Sequence, residues 1–328
     1  MLVERIVDSG LVPEPVMRAA IRGVCALRLL QERRRDPRAL VAELRRSELA
    51  IETAAANAQH YEVPAAFYQR VLGSHLKYSA CYWPDGVTTL DAAKAAMLEL
   101  YAERAGLADG QRVLDLGCGW GSVALWAAAR YPASDITAVS NSNSQREFIT
   151  ARAAERGLTN LTVQTADIRA LELPAASFDR VVSIEMFEHL RNYEALFAKI
   201  ARWLRPDGAL FVHVFAHRRY AYPFEDGGAS DWMAREFFTG GLMPSVDLFR
   251  EFQRELAITD EWRIDGTHYA RTSEAWYRNL MAARGELEPL VGRAGFQRWR
   301  VFFLACAELF NFGAGRQWLV AHYRFAPR

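Results

Sequence analysis

Aspartate, glutamate and histidine are the side chains that move protons near neutrality, and one short stretch, Ile184-Glu-Met-Phe-Glu-His189, gathers three of them. An unperturbed imidazole titrates close to neutral pH, which suits His189 to the work of a general base. Glu185 and Glu188 could orient that imidazole or hold a cationic group beside it. A second stretch, Val113-Leu-Asp-Leu-Gly-Cys-Gly-Trp-Gly121, reads as an apolar strand ending in Asp115, with glycines at every second position after it. Glycine tolerates positive φ and lacks a Cβ, so the backbone there can turn sharply and lie against a ligand. The spacing is not the G-x-G-x-x-G of dinucleotide-binding proteins. A tight structural turn is the plainer reading of the glycines, and carboxylates favouring a helix N-terminus is that of the glutamates. One histidine without a second histidine or cysteine nearby is a poor zinc set, so no metal is expected.

The surrounding pattern says how these residues are positioned. Helical periodicity over 89–106 leads into the glycine-turn strand. Helix 121–131, strand 135–140, helix 143–157, strands 161–165 and 180–184, helix 188–204 and strand 209–215 follow. Strands alternating with helices predict a parallel sheet covered by helices. If Glu185 ends the fourth strand and Glu188 opens the next helix, Glu185, Glu188 and His189 face the crevice at the sheet's carboxyl edge, beside the glycine turn. Residues 1 to about 56 read as helical, with Val16, Ala20, Val24, Leu27 and Leu30 at helical spacing. Arg33–Arg35 beside Asp36-Pro37 mark a helix end and turn. Residues 57–93 are rich in aromatics, among them Tyr61, Tyr78 and Tyr82. Residues 216–300 break the alternation, and 317–325 alternates like a terminal strand. The division expected is a helical N-terminal cap and lid (1–93), a ligand-binding core (94–215), an inserted substrate cap (216–300) and the last part of the core sheet (301–328).

Composition excludes several roles. A net charge of +1 predicts no nucleic-acid partner. No apolar run reaches a membrane span, and acidic residues interleave with the Arg33–Arg35 cluster. Four scattered cysteines form no disulfide framework. The expectation is a cytoplasmic enzyme, with a homodimer left open.

The D-x-G-x-G-x-G spacing resembles the first motif of class I S-adenosylmethionine methyltransferases. That resemblance implies an α/β Rossmann-like core, mostly parallel with an antiparallel C-terminal strand, carrying N-terminal and inserted helical caps. Asp115, Gly117, Gly119 and Ile184 would line the cofactor site. Polar Ser140, Asn141 and Gln145 would take the ribose or the methionine tail, although Ser and Asn there also suit a helix N-cap. Asp167 and Ile168 would receive the adenine, unless Asp167 simply closes a turn. Tyr78 and Ser79 would fold over the cofactor as a lid.

From roughly His60 onward the chain resembles the cyclopropane-fatty-acid synthase superfamily, through Tyr78-Ser-x-x-Tyr-Trp83, the glycine motif, Phe187-Glu-His189 and Trp276-Tyr277. Within it, Ile184-Glu-x-x-Glu-His189, Phe237-Phe-Thr-Gly-Gly-x-Met-Pro-Ser245 and Phe302-Phe-x-Ala-Cys-Ala-Glu-Leu-Phe310 are similar to the coclaurine-type amine N-methyltransferases. The cyclopropanating members resemble Tyr-Ser-Cys-Ala-Tyr, whose cysteine helps hold a bicarbonate base. Ala80 stands at that cysteine, with Cys81 one residue later, and Glu185 stands where they carry glycine. Glu188, His213 and Tyr269 match other bicarbonate-site positions. The departures imply methyl transfer to a hydrophobic small-molecule amine of tetrahydroisoquinoline type. Glu185, Glu188 and His189 would handle the proton, and Tyr82, Trp232, Phe237, Phe238 and Tyr269 would cage the substrate. Any one of those aromatics could equally be core. The alternative activity is methylation or cyclopropanation of unsaturated acyl phospholipids. A binding protein without catalysis is the third reading.

Overall fold

The computed structural model describes residues 2–51, 63–225 and 232–328. Tyr61 and the start of the family resemblance near His60 lie outside the described residues, as does the end of the expected N-terminal helical stretch.

The centre of the molecule is a seven-stranded sheet. Its strands are β1 (Arg112–Leu116), β2 (Asp135–Ser140), β3 (Leu161–Thr165), β4 (Phe178–Ile184), β5 (Leu204–His217), β8 (Leu256–Ile264) and β9 (Trp318–Pro327), in the order β3-β2-β1-β4-β5-β9-β8. Adjacent strands from β3 to β5 pair in parallel, and β9 runs antiparallel to both β5 and β8. This is the mostly parallel sheet with one antiparallel C-terminal strand that the resemblance implied. A two-stranded ribbon, β6 (Tyr222–Pro223) with β7 (Leu242–Met243), stands apart.

Apolar strands explain the burial: four of the five residues of Arg-Val-Leu-Asp-Leu in β1 are buried, as a strand covered on both faces requires. One face carries the helices Leu90–Ala105, Ser122–Arg130 and Asn143–Glu155, and the other carries Tyr193–Trp203. Leu90–Ala105 is bounded by its own chemistry. Thr89 Oγ1 accepts from Ala92 N, and Gly106 closes the last turn with left-handed φ/ψ. The N-terminal helices Leu2–Ser9 and Glu14–Glu32 pack on the long helix Arg284–Asn311, which kinks at Gly292 (φ +73°). Arg33–Arg35 fall at the predicted helix end, where Arg35 pairs with Glu32 and Asp36 caps the next helix.

Two readings of the sequence need correction. Strand β8 lies inside 216–300, so that segment holds a core strand as well as cap. Its Thr259-Asp-Glu-Trp-Arg263 stretch is only partly covered because β8 is the sheet's edge, and it reads as a polar loop. The helix placed at 188–204 starts at Tyr193, after a 3-10 turn over Phe187–His189, because Asn192 is the residue whose side chain caps it by accepting from Ala195 N.

Candidate active site

Strand order reverses between β1 and β4, and in such sheets the crevice opens beyond the carboxyl ends of the two strands. Past β1 the chain turns back under β2: Gly117 N and Cys118 N both donate to Val139 O at 3.0 Å. Gly117 has φ +84°, and a Cβ there would stand 2.5 Å from Met186 Cγ, so no other residue fits. Gly119 (φ +53°) faces open space instead.

Two chambers of about 110 and 100 Å³ flank this turn and meet at Gly117, Gly119, Gln145, Glu185 and His189. The first is walled by Tyr78, Ser79, Asp115 and Ile184, and the second by Ser140, Asn141, Asp167 and Ile168. All eleven positions expected at the cofactor therefore line one cleft. The chemistry of that wall fits a polar ligand. Asp115 Oδ2 and Gln145 Nε2 are buried with no hydrogen-bond partner among the described residues, a state that costs free energy unless a ligand engages them. Burial pushes the Asp115 carboxyl up to about 7. The helix-capping role weighed for Ser140 and Asn141 belongs to Ser142, whose Oγ accepts from Gln145 N. Asp167 accepts from Arg169 N at 2.8 Å and pairs with its guanidinium at 2.6 Å, which holds its carboxyl below the ordinary range. It closes a turn and walls the cleft at once.

The other side of the cleft is built on Glu185, whose φ of +48° turns its side chain off the end of β4. Its side chain is 8% exposed and accepts three hydrogen bonds. Oε1 receives Ala80 N at 2.9 Å and His213 Nε2 at 3.0 Å, and Oε2 receives the Tyr269 hydroxyl at 2.7 Å. Burial raises the Glu185 pKa, opposed by the charge of Lys77 and by the Ala80 and Tyr269 donors. Lys77 is itself buried. Its ammonium donates to Ser79 Oγ and Ala80 O at 2.5 Å, lies 5.1 Å from the Tyr101 ring, and is pulled down to about 8 by burial.

A family model described as mycolic acid cyclopropane synthetase matches residues 50–318. The chain belongs to that family. It is 38% identical to an (S)-coclaurine N-methyltransferase of Thalictrum flavum subsp. glaucum over 98% of this chain and 94% of the relative. The crystal structure of a coclaurine N-methyltransferase bound to N-methylheliamine and S-adenosylhomocysteine superposes with a TM-score of 0.94 and 36% identity, covering 98% of each chain. A cyclopropane synthase of Mycobacterium tuberculosis superposes at 0.75 with 25% identity, over 85% of this chain and all of that one. This member of the family is an S-adenosylmethionine-dependent methyltransferase acting on a small molecule. Among the described residues no helix is long and apolar enough to cross a membrane.

The proton-handling trio is only partly assembled as expected. Glu185 and His189 line both chambers, and His189 stacks on Phe238. Glu188 lines neither. It is fully buried behind the wall, with Oε1 accepting from Phe215 N at 2.8 Å and Oε2 unpartnered among the described residues. Burial, then the nearby Glu185 charge, pushes its pKa well up, which favours the neutral acid. The premise that His189 titrates near neutrality also fails, because burial lowers its pKa to about 4. It stays neutral and a weak base.

The expected aromatic cage divides too. Phe238 and Tyr269 stand between the first chamber and an apolar cavity of about 390 Å³ that reaches under the N-terminal helices, and Trp232 lines that cavity. Phe237 is core, stacked on Phe302 at 4.1 Å. Tyr82 is turned out against His268, at 5.0 Å. Cys81, one residue past Ala80, does not line the chamber but packs in a separate cluster with Trp83, Ala93 and Ala275. Sequence reading missed Trp120, Phe215 and Phe302 on the chamber wall, and Lys77. Their signal is no more than an apolar or basic residue in a buried segment.

Proposed function

We propose that the protein transfers the methyl of S-adenosylmethionine to the nitrogen of a hydrophobic amine, a tetrahydroisoquinoline or a close analogue. The observation that carries this reading is where the donors converge. Ala80 N, His213 and Tyr269 stand at positions that resemblance to the cyclopropanating enzymes assigns to a bicarbonate site, and here all three donate to the carboxylate of Glu185. The chain thus carries its own anion where those enzymes hold an exchangeable one. That same placement, with Ala80 in the cysteine's place, weighs against cyclopropanation of acyl phospholipids.

When bound, the cofactor supplies a methyl group on a sulfonium, which an electron-rich nitrogen displaces in line. The chain's part is to deliver that nitrogen with a free lone pair. Three donors leave Glu185 Oε2 capacity for one more, directed at the chamber it lines. Glu185 would hold the ammonium there and accept one of its protons, which frees the lone pair for attack on the methyl and leaves Glu185 as the neutral acid until that proton passes to solvent. Neutral His189 can accept an N–H from the amine without competing for the proton. Asp115, Gln145 and the glycine turn would hold the cofactor; Phe238 and Tyr269 would orient the ring and exclude water. The apolar cavity behind them suits a bulky substituent.

Incubation with labelled cofactor and either a tetrahydroisoquinoline panel or unsaturated phospholipid vesicles tests the reading. Label on the amine with S-adenosylhomocysteine released is expected, and label in acyl chains overturns it. The four cysteines are free and buried, which supports the cytoplasm as its compartment. Whether it forms a homodimer is read by light scattering.

A further inference from the structure

A line of buried polar groups crosses the sheet from Glu185, and beyond His213 it is used by nothing described so far. Ile184, His213 and His322 are register partners on β4, β5 and β9, so the two imidazoles lie side by side at the height of Glu185. His213 Nε2 is 3.0 Å from Glu185 Oε1, His322 Nε2 is 2.8 Å from His213 Nδ1, and Arg104 Nη1 is 2.8 Å from His322 Nδ1. Both imidazoles are fully buried, and Arg104 is half-buried against Trp262. The Tyr101 hydroxyl also approaches His213 Nδ1, at 2.9 Å.

The direction of every bond in this line follows from its outer end. A guanidinium only donates, so His322 Nδ1 must accept. A neutral His322 then carries its hydrogen on Nε2 and donates to His213 Nδ1, and His213 in turn carries its hydrogen on Nε2 and donates to Glu185. Burial pushes both imidazoles well below their ordinary pKa, which keeps each neutral with a single N–H. In the opposite tautomer His213 would set a lone pair against a carboxylate oxygen.

We infer that Arg104 and His322 are positioning residues for methyl transfer: through His213 they lock the tautomer that donates to Glu185, and so keep its carboxylate ionised and aimed at the chamber. The other titratable groups around Glu185 are Lys77 and Cys81 in the segment before the helix Leu90–Ala105, Glu188 and His189 on the turn after β4, Tyr269 on the helix Gly266–Ala282 and Cys306 on the helix Arg284–Asn311. Tyr101 faces it from the helix that also carries Arg104. Of these only Lys77 adds positive charge, and it is held by Ser79 and Ala80. Loss of the His213 donor therefore raises the Glu185 pKa.

Two measurements test the inference, and only the second rests on the amine reading. Long-range proton–nitrogen NMR of histidine-labelled protein at neutral pH should show His213 and His322 neutral with hydrogen on Nε2. A charged ring or hydrogen on Nδ1 at either overturns the relay. In steady-state assays with a tetrahydroisoquinoline amine, His322→Phe should lower kcat/KM about ten- to a hundredfold, the effect of losing a donor to a charged group. The acid limb of its pH profile should move to higher pH, with cofactor affinity unchanged. His322→Gln can accept and donate, and should restore the limb. Arg104→Met should move it in the same direction; Arg104 is only half-buried, so this variant stands if His322→Phe does not fold. Limbs that coincide with wild type in both overturn the inference. Spectra with the expected tautomers and no amine methylated would leave the relay standing and the functional reading failed.

Discussion

The two sides of the cleft carry one buried carboxylate each, and they are finished in opposite ways. Asp115, at the end of β1, keeps an oxygen without a partner among the described residues, and Gln145 beside it keeps an unused amide nitrogen. Glu185, at the end of β4, already receives three donors from three distant parts of the chain. The first side is arranged to be completed by a ligand. The second already has protein partners on both carboxylate oxygens before a ligand arrives. In the proposed reaction that contrast would separate binding a polar cofactor from stabilising charge, where preorganisation matters most.

Breaking the charged side should have the largest effect. Glu185→Gln preserves shape and removes the anion, and kcat/KM for the amine is expected to fall by about 10²–10⁴-fold, as for loss of a proton-transfer group, with cofactor affinity retained in calorimetry. On the open side the expected effect is on stability. The folded-state pKa of Asp115 is raised from 3.8 to about 7, so between those values the unfolded chain binds fewer protons than the folded one. Free enzyme should therefore lose stability as pH rises through that window, by at most about 4 kcal/mol. Melting temperatures against pH should show that slope in wild type and lack it in Asp115→Asn.

His189 sharpens the comparison. Burial lowers its pKa to about 4, so in the proposed reaction it would orient the amine and not supply the ionisation that limits rate. His189→Gln should cost about tenfold, the scale of one hydrogen bond, while the acid limb of the pH–rate profile stays in place. A limb that moves with this substitution would return the base to His189. The smallest effect is expected at Tyr82, which stacks on His268 outside the cleft. Tyr82→Phe should leave kcat and KM within about twofold, since surface changes away from such features are nearly neutral.

The open side was legible before any coordinates. Strands 135–140 and 161–165 fall at their predicted bounds, and the eleven positions expected at the cofactor line one cleft, because a strand, a glycine turn and a helix N-terminus are contiguous in the chain. The reacting side was legible only in residue type. Glu185 and His189 reach the cleft as their spacing implied, yet Glu188 is buried behind it, since a 3-10 turn replaces the expected helix start and turns the second carboxyl of the trio inward. Phe237 and Tyr82 looked like cage residues for the same reason that core aromatics always do.

The order of apolar strands and glycines in the sequence thus determined the sheet apart from its edge strand β8, the cleft and the family. Tertiary structure alone decided the charge state of the reacting groups. Lys77 and Ala80 from one segment, His213 from a strand and Tyr269 from a helix converge on Glu185, and the burial that lowers His189 and raises Glu188 comes from side chains far away in sequence. Local spacing is written in neighbouring residues. Desolvation and hydrogen bonding depend on everything that packs around a group, and they exist only once the chain has folded.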